Sequence, residues 1–181
     1  MTNLLEAIKD YLAPLVDGEP KKPLHVGEVN NLWLLLTLLE EGLAVYQLGL
    51  NTTTDKQLIH ALTNGQEESI KTIEQIRNFF IKEGVSMPPI SEPKPKSNPN
   101  SVPLGVKYTD SELANLISAK LAAEITLLGQ ALAMSIRTDV GQTFFQIQFE
   151  MIKYGTSLKK MMQDRGWLKT PPYYYPPGGP E

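Results

Sequence analysis

Pro88-Pro89-Ile90-Ser91-Glu92-Pro93-Lys94-Pro95-Lys96-Ser97-Asn98-Pro99-Asn100-Ser101-Val102-Pro103 holds six of the fourteen prolines in this chain, and it decides where helices can run. Pro14, Pro20 and Pro23 stand near the start, and the remaining five follow from Pro171 onward. Proline in a helix interior removes a backbone donor and clashes with the preceding turn. The two proline-free stretches, 24–87 and 104–170, are therefore where long helices fit, each with room for two helices and one tight turn. The chain reads as helix pair, long crossover, helix pair.

Upstream of the crossover, Val29, Leu32, Leu36, Leu39, Leu43, Tyr46 and Leu50 alternate steps of three and four, a heptad seam that predicts a helix over 26–50. Asn51-Thr52-Thr53 makes a short turn. Thr54 with Gln57 reads as a capping box opening a helix over 55–83, striped by Leu58, Leu62, Ile73, Ile76 and Phe80. Residues 63–69 interrupt that stripe with polar side chains and Gly65, which costs about 1 kcal/mol in a helix interior, so a kink is expected there. Downstream, Thr109 with Glu112 opens a helix over 110–137 with Ala114, Ile117, Leu121, Leu128 and Ala131 on one face. Asp139 with Gln142 opens another over 139–166, its seam running through Val140, Phe144, Ile147, Met151, Tyr154, Leu158 and Met161 to a stop at Gly166. Leu36, Leu39, Ile147 and Met151 are expected near the centre.

The crossover, 84–108, has the composition of extended polyproline segments, and at about 3.1 Å per residue it reaches back along a helix of about 40 Å. Short turns force antiparallel neighbours, and the long link joins the pairs. That is the connectivity of an all-α, ferritin-like up-down-down-up four-helix bundle with one long proline-rich crossover. The bundle is assigned to 24–168. Before it, 1–23 reads as a short amphipathic helix and linker, with Asn3 and Glu6 as a capping box and Leu5, Ile8, Leu12 and Leu15 on one face. After it comes a Tyr/Pro-rich arm, 169–181.

The 17 basic against 20 acidic residues leave no basic stripe of the kind that neutralises phosphates, so no nucleic-acid partner is expected. Lys94, Lys96 and Lys107 read as solubilising charges of the linker. There is no cysteine, which excludes disulfide and thiol chemistry. Glu6 and Asp10 inside the first apolar stretch argue against a secretory signal. The longest apolar run, residues 32–39, is broken by Thr37 and stops at Glu40 and Glu41, so no membrane helix is expected from it.

The segments His25-Val26-Gly27-Glu28-Val29-Asn30-Asn31-Leu32-Trp33, Asn51-Thr52-Thr53-Thr54-Asp55, Ser135-Ile136-Arg137-Thr138-Asp139-Val140-Gly141 and Gly166-Trp167-Leu168-Lys169-Thr170-Pro171-Pro172-Tyr173-Tyr174-Tyr175-Pro176-Pro177 carry a resemblance. Together they look like an uncharacterised family of ferritin-like domains from endospore-forming bacteria, related to the spore coat protein F group. The likeness spans roughly 24–177, and the aromatic ending is its most specific part. It implies a fold and a sporulation setting, in the mother-cell cytoplasm or the spore coat, and no established reaction.

A ferritin-like fold raises the question of a carboxylate-bridged metal pair, which needs glutamates on two helices and Glu-x-x-His on the other two. Carboxylates stand near mid-height: Glu40 or Glu41, Glu67 or Glu68, Glu124 and Glu150. The histidines do not fit. His60 is preceded at the critical spacing by Gln57, the last helix has none, and His25 lies about 37 Å from His60 at 1.5 Å per residue. Glu124 falls on the core stripe between Leu121 and Leu128; a buried carboxylate there needs a partner, such as Tyr46, Tyr154 or Lys120, unless the helix turns it to the seam edge. His25 and Glu28, three apart, either share a metal on one helical face or form an N-terminal helix contact. The candidate metal residues are thus Glu124, Glu40, Glu150, His25, Glu28 and His60, for iron, manganese or zinc.

Nucleophile motifs, glycine-rich phosphate loops and zinc ligand sets do not occur. The reading is a non-enzymatic structural or assembly protein without a cofactor, the alternative being a metal-binding or residual redox protein using mid-helix carboxylates. Trp167, Tyr173, Tyr174 and Tyr175 are the candidate interaction residues: the arm packs on its own bundle, binds a neighbouring subunit, or presents tyrosines for oxidative cross-linking. The N-terminal apolar face, with Trp33 and Leu34 beside the first seam, exceeds what one small bundle buries. A homodimer is expected, with other coat proteins as further partners.

Overall fold

The computed structural model describes residues 21–178, and among them are four long helices and no strand. They are α1 (Val26–Leu50), α2 (Lys56–Glu83), α3 (Asp110–Met134) and α4 (Thr138–Asp164). The amphipathic helix expected near the start lies outside the described residues. α2 folds back along α1 after a turn at 51–55, and the crossover then retraces α1 from its beginning to its end. Trp33 donates its indole N–H to the Ser86 carbonyl (3.3 Å), and Gln47 accepts from the Lys94 amide (2.9 Å). Asn51 both donates to the Pro95 carbonyl (2.9 Å) and accepts from the Ser97 amide (3.0 Å). The link is thus pinned in a groove by its backbone, with 3-10 turns at Pro99–Ser101 and Leu104–Val106 before α3.

α3 consequently starts beside the end of α1, where the Thr53 hydroxyl donates to Asp110 (2.6 Å). It runs parallel to α2, and α4 returns beside it. In this helical bundle α1 contacts α2 and α3, and α4 contacts α3 and, more sparsely, α2. The capping box at Thr109 and Glu112 forms as expected, and Gly166, at φ 66°, takes the left-handed turn after α4.

Several boundaries differ from expectation for local reasons. Asp55, rather than Thr54, caps α2: its Oδ1 accepts from the amides of Gln57 and Leu58, and its negative charge suits the start of a helix. α3 ends at Met134 instead of 137, since the amides of Ile136 and Arg137 are drawn to the Glu28 carboxylate. Arg137 is the N-cap position of α4 and makes no capping bond with its side chain; Asp139, expected as a cap, instead binds Arg137 and Lys21. α2 remains helical through Gly65.

Leu36 and Leu39 have no exposed surface, and Ile147 and Met151 are also buried. Two apolar clusters result: one around Leu36, Leu39, Phe80 and Phe144, the other around Leu58, Leu62, Ile117 and Leu158. Met162, not Met161, closes the last seam, while Leu35 adds a core position beside the α1 heptad. By length and composition alone, α1 and the stretch Leu104–Met134 reach what a membrane crossing needs. Their buried carboxylates Glu28, Glu40 and Glu124 are all held by partners within this chain, the pattern of core helices.

Candidate functional site

Between the two apolar clusters lies a polar layer to which every helix contributes: Tyr46 from α1, Ser69 from α2, Lys120 and Glu124 from α3, and Tyr154 from α4. Glu124 is 1% exposed and receives the Lys120 ammonium at 2.6 Å. The same ammonium stands 5.4 Å from the centre of the Tyr46 ring. Tyr46, Ser69 and Tyr154 line one small space, and Tyr154 donates to the Ala61 carbonyl (3.1 Å). The layer needs space that only glycine leaves. A Cβ on Gly42 would sit 2.6 Å from Lys120 Nζ, and one on Gly65 would sit 2.6 Å from Tyr154 Cζ and 2.7 Å from Tyr46 Cε1. The polar interruption of α2 is therefore the α2 side of this layer and requires no kink.

Burial sets the electrostatics here. It pushes the Tyr46 phenol up to about 12, aided by the negative Glu124, and raises Tyr154 as well. Glu124 is raised by the same desolvation, which outweighs the attraction of Lys120. Both tyrosines thus stay protonated at neutral pH and act as neutral hydrogen-bonding groups. A cavity of about 20 Å³ touches Tyr46, Ser69, Glu124 and Tyr154, room for about one water. Outside it, the sparse α2–α4 contact leaves a groove of about 760 Å³, floored by Ala61, Tyr154, Leu158 and Met161 and rimmed by residues such as His60 and Lys153.

The candidate metal residues do not come together. Glu40, 7% exposed, pairs with Arg77, which also donates to the Pro88 carbonyl (3.1 Å). Glu150 pairs with Lys153 on the surface (3.0 Å), and His60 lies 3.2 Å from Asn64. Among the described residues, no three histidine, aspartate or glutamate side chains are grouped to hold a metal. The donor set does not fit a carboxylate-bridged pair, because the central buried carboxylate is already bound to an internal cation.

His25 and Glu28 form a helix contact. The His25 side chain accepts from Gly27 N (3.0 Å), and Glu28 accepts from His25 N (2.8 Å). The other Glu28 oxygen accepts from the amides of Ile136 (2.8 Å) and Arg137 (2.7 Å), fastening the start of α1 to the link between α3 and α4. Arg137, 5% exposed, then grips Glu83 with two donors (both 2.8 Å) and Asp139 with two (3.0 and 2.7 Å). These bonds hold both carboxyls below the usual carboxylate range. Two of the segments that carry the family resemblance thus build one clasp at one end of the bundle. A third, around Asp55, meets Arg165 at the other end (2.7 Å).

Trp167 sits against the second cluster, under the Arg165 guanidinium, with its carbonyl taken by Asn115 (2.9 Å). Beyond it the arm is exposed, with Tyr173 82%, Tyr174 83% and Tyr175 68% accessible. Arg77 was not singled out by the sequence, and Arg137 and Ser69 stood there only inside a resemblance segment and the polar interruption of α2, with no role attached to either. The helix-interior glycines Gly42 and Gly65 were the available signal.

The fold and this layer define a four-helical bundle protein whose middle is closed by side chains of its own. The chain belongs to the DUF3231 family, described as proteins of unknown function, whose match covers residues 17–178. It is similar to the uncharacterized protein YvdQ of Bacillus subtilis (strain 168), at 28% identity over 161 residues, 88% of this chain and 95% of that protein. Among solved structures it is similar to a "putative spore coat protein" of Bacillus halodurans C-125, at 27% identity and a TM-score of 0.82, covering 85% of this chain and 97% of that one. A DUF305 fragment from Deinococcus radiodurans, 13% identical with a TM-score of 0.63 over 79% of this chain and 99% of that one, shares the fold.

Proposed function

We propose that this chain is a non-enzymatic structural or assembly protein: a ferritin-like bundle that uses no metal or cofactor, and a spore coat-related component working in the mother cell or the coat. The observation that carries the reading is the Lys120–Glu124 pair at the bundle centre. A ligand for a central metal would have to be free to bind it, and the one fully buried core carboxylate of α3 is bound to an ammonium instead. The similarity to the Bacillus halodurans protein supports the coat setting.

Assembly has support in the surface. Trp33, Leu34 and Leu38 of α1 and Phe149 and Ile152 of α4 are between 38% and 56% exposed, more apolar surface than a solitary bundle needs to show. Two-fold pairing is the commonest way to cover it. Light scattering across micromolar concentrations is expected to give a mass above the 20.2 kDa monomer. A mass that stays at the monomer at the highest concentration contradicts self-association.

A further inference from the structure

We propose that the tyrosine-proline arm of one copy docks in the α2–α4 groove of another copy, an inference that rests on the assembly reading above. The arm cannot readily serve its own groove. Trp167 and Leu168 pack on the second cluster, Asn115 of α3 holds the Trp167 carbonyl, and Lys169 lies in the field of Glu112 at the start of α3. The chain therefore leaves over α3, which stands diagonally across the bundle from α2. Its three tyrosines are left in solvent.

The arm is long enough to span the groove. It follows α2 from Lys56 to Glu68, about 18 Å at 1.5 Å per residue, and residues 170–178 in polyproline form extend about 28 Å. The arm carries no charge between Lys169 and Glu181. The groove rim sets Lys56, Lys153 and Lys160 against Glu67, Glu68, Glu150 and Asp164, a mixed rim with one carboxylate in excess, and the uncharged arm meets no strong field of one sign there. The floor of Ala61, Tyr154, Leu158 and Met161 supplies apolar and aromatic contact of the kind that receives proline-rich segments, because a preformed polyproline helix has little conformational entropy left to lose. Tyrosine adds area at low entropic cost, and its hydroxyl suits a polar rim.

The test uses a fluorescent peptide of residues 170–178 titrated into full-length chain carrying Tyr173→Ala, Tyr174→Ala and Tyr175→Ala, so that its own arm does not compete. Saturable binding is expected, weakened at least tenfold when Ser157→Trp fills the groove; that serine is exposed and its replacement leaves the core intact. Absence of binding overturns the proposal, as does binding that Ser157→Trp leaves unchanged. Light scattering separates this from the broader reading. If the triple tyrosine variant keeps the wild-type assembled mass, assembly stands and the arm is not its means; if it falls to the monomer, the arm is.

Discussion

Arg137→Ala is expected to lower the unfolding free energy at neutral pH by about 3 kcal/mol, the lower end of the cost of breaking a buried ion pair by removing one partner, because Glu83 and Asp139 are about a quarter exposed. The guanidinium is 5% exposed, and it joins the end of α2 at Glu83 to the start of α4 at Asp139 and to the Lys22 carbonyl (3.2 Å). Its loss leaves Glu83 facing Asp139, which still has Lys21 beside it (2.8 Å). Arg137→Lys should recover only part of the loss, since one ammonium cannot reproduce the paired bonds to both carboxylates. The pH dependence has a definite sign. Carboxyls held below their unfolded values stabilise the fold above those values, and the contribution fades as pH falls through the depressed ones. Urea unfolding should therefore show the gap between wild type and Arg137→Ala narrowing as the pH drops below about 4. A loss under about 1 kcal/mol at neutral pH would mean that the clasp is ornamental.

Lys120→Met should be similarly costly, by about 3–5 kcal/mol at neutral pH, because it strands the Glu124 carboxylate in the layer between the two apolar clusters. Here the sign is opposite. Glu124 is a carboxyl whose burial already raises it, so its penalty grows as pH climbs from the unfolded value to the raised one and vanishes once it is protonated. The variant should recover relative stability in acid. The double substitution Lys120→Met with Glu124→Leu should return to within about 1 kcal/mol of wild type or exceed it, as buried ion pairs often do when replaced whole. A double variant as unstable as the single one would show that the two groups act separately.

The helix pairs and the crossover were legible because proline, capping boxes and heptad steps act locally. Thr109 with Glu112 caps α3 and Gly166 ends α4 by rules that need no tertiary partner. The polar layer was only half legible. Glu124 sits on the core stripe, but Lys120 four residues earlier is also the spacing of an ordinary surface pair. Room for the inward ammonium comes from the absence of a side chain at Gly42 on another helix, while Gly65 makes room for Tyr46 and Tyr154 beside it. Arg137 shows the same limit. Its sequence neighbourhood predicted a continuing helix, and the competing demand came from Glu28, more than a hundred residues away along the chain. His25 and Glu28 read as an N-terminal helix contact with a shared metal as the lesser alternative, and the amides of Ile136 and Arg137 show where the carboxylate goes.

The most direct test of the metal-free structural reading is metal analysis of the protein purified without chelator, with iron, manganese and zinc supplied during expression. The Lys120–Glu124 pair predicts substoichiometric content of all three, unchanged by Glu124→Gln. Stoichiometric metal that Glu124→Gln removes would contradict it, since the central carboxylate would then be a ligand and the chain a metalloprotein.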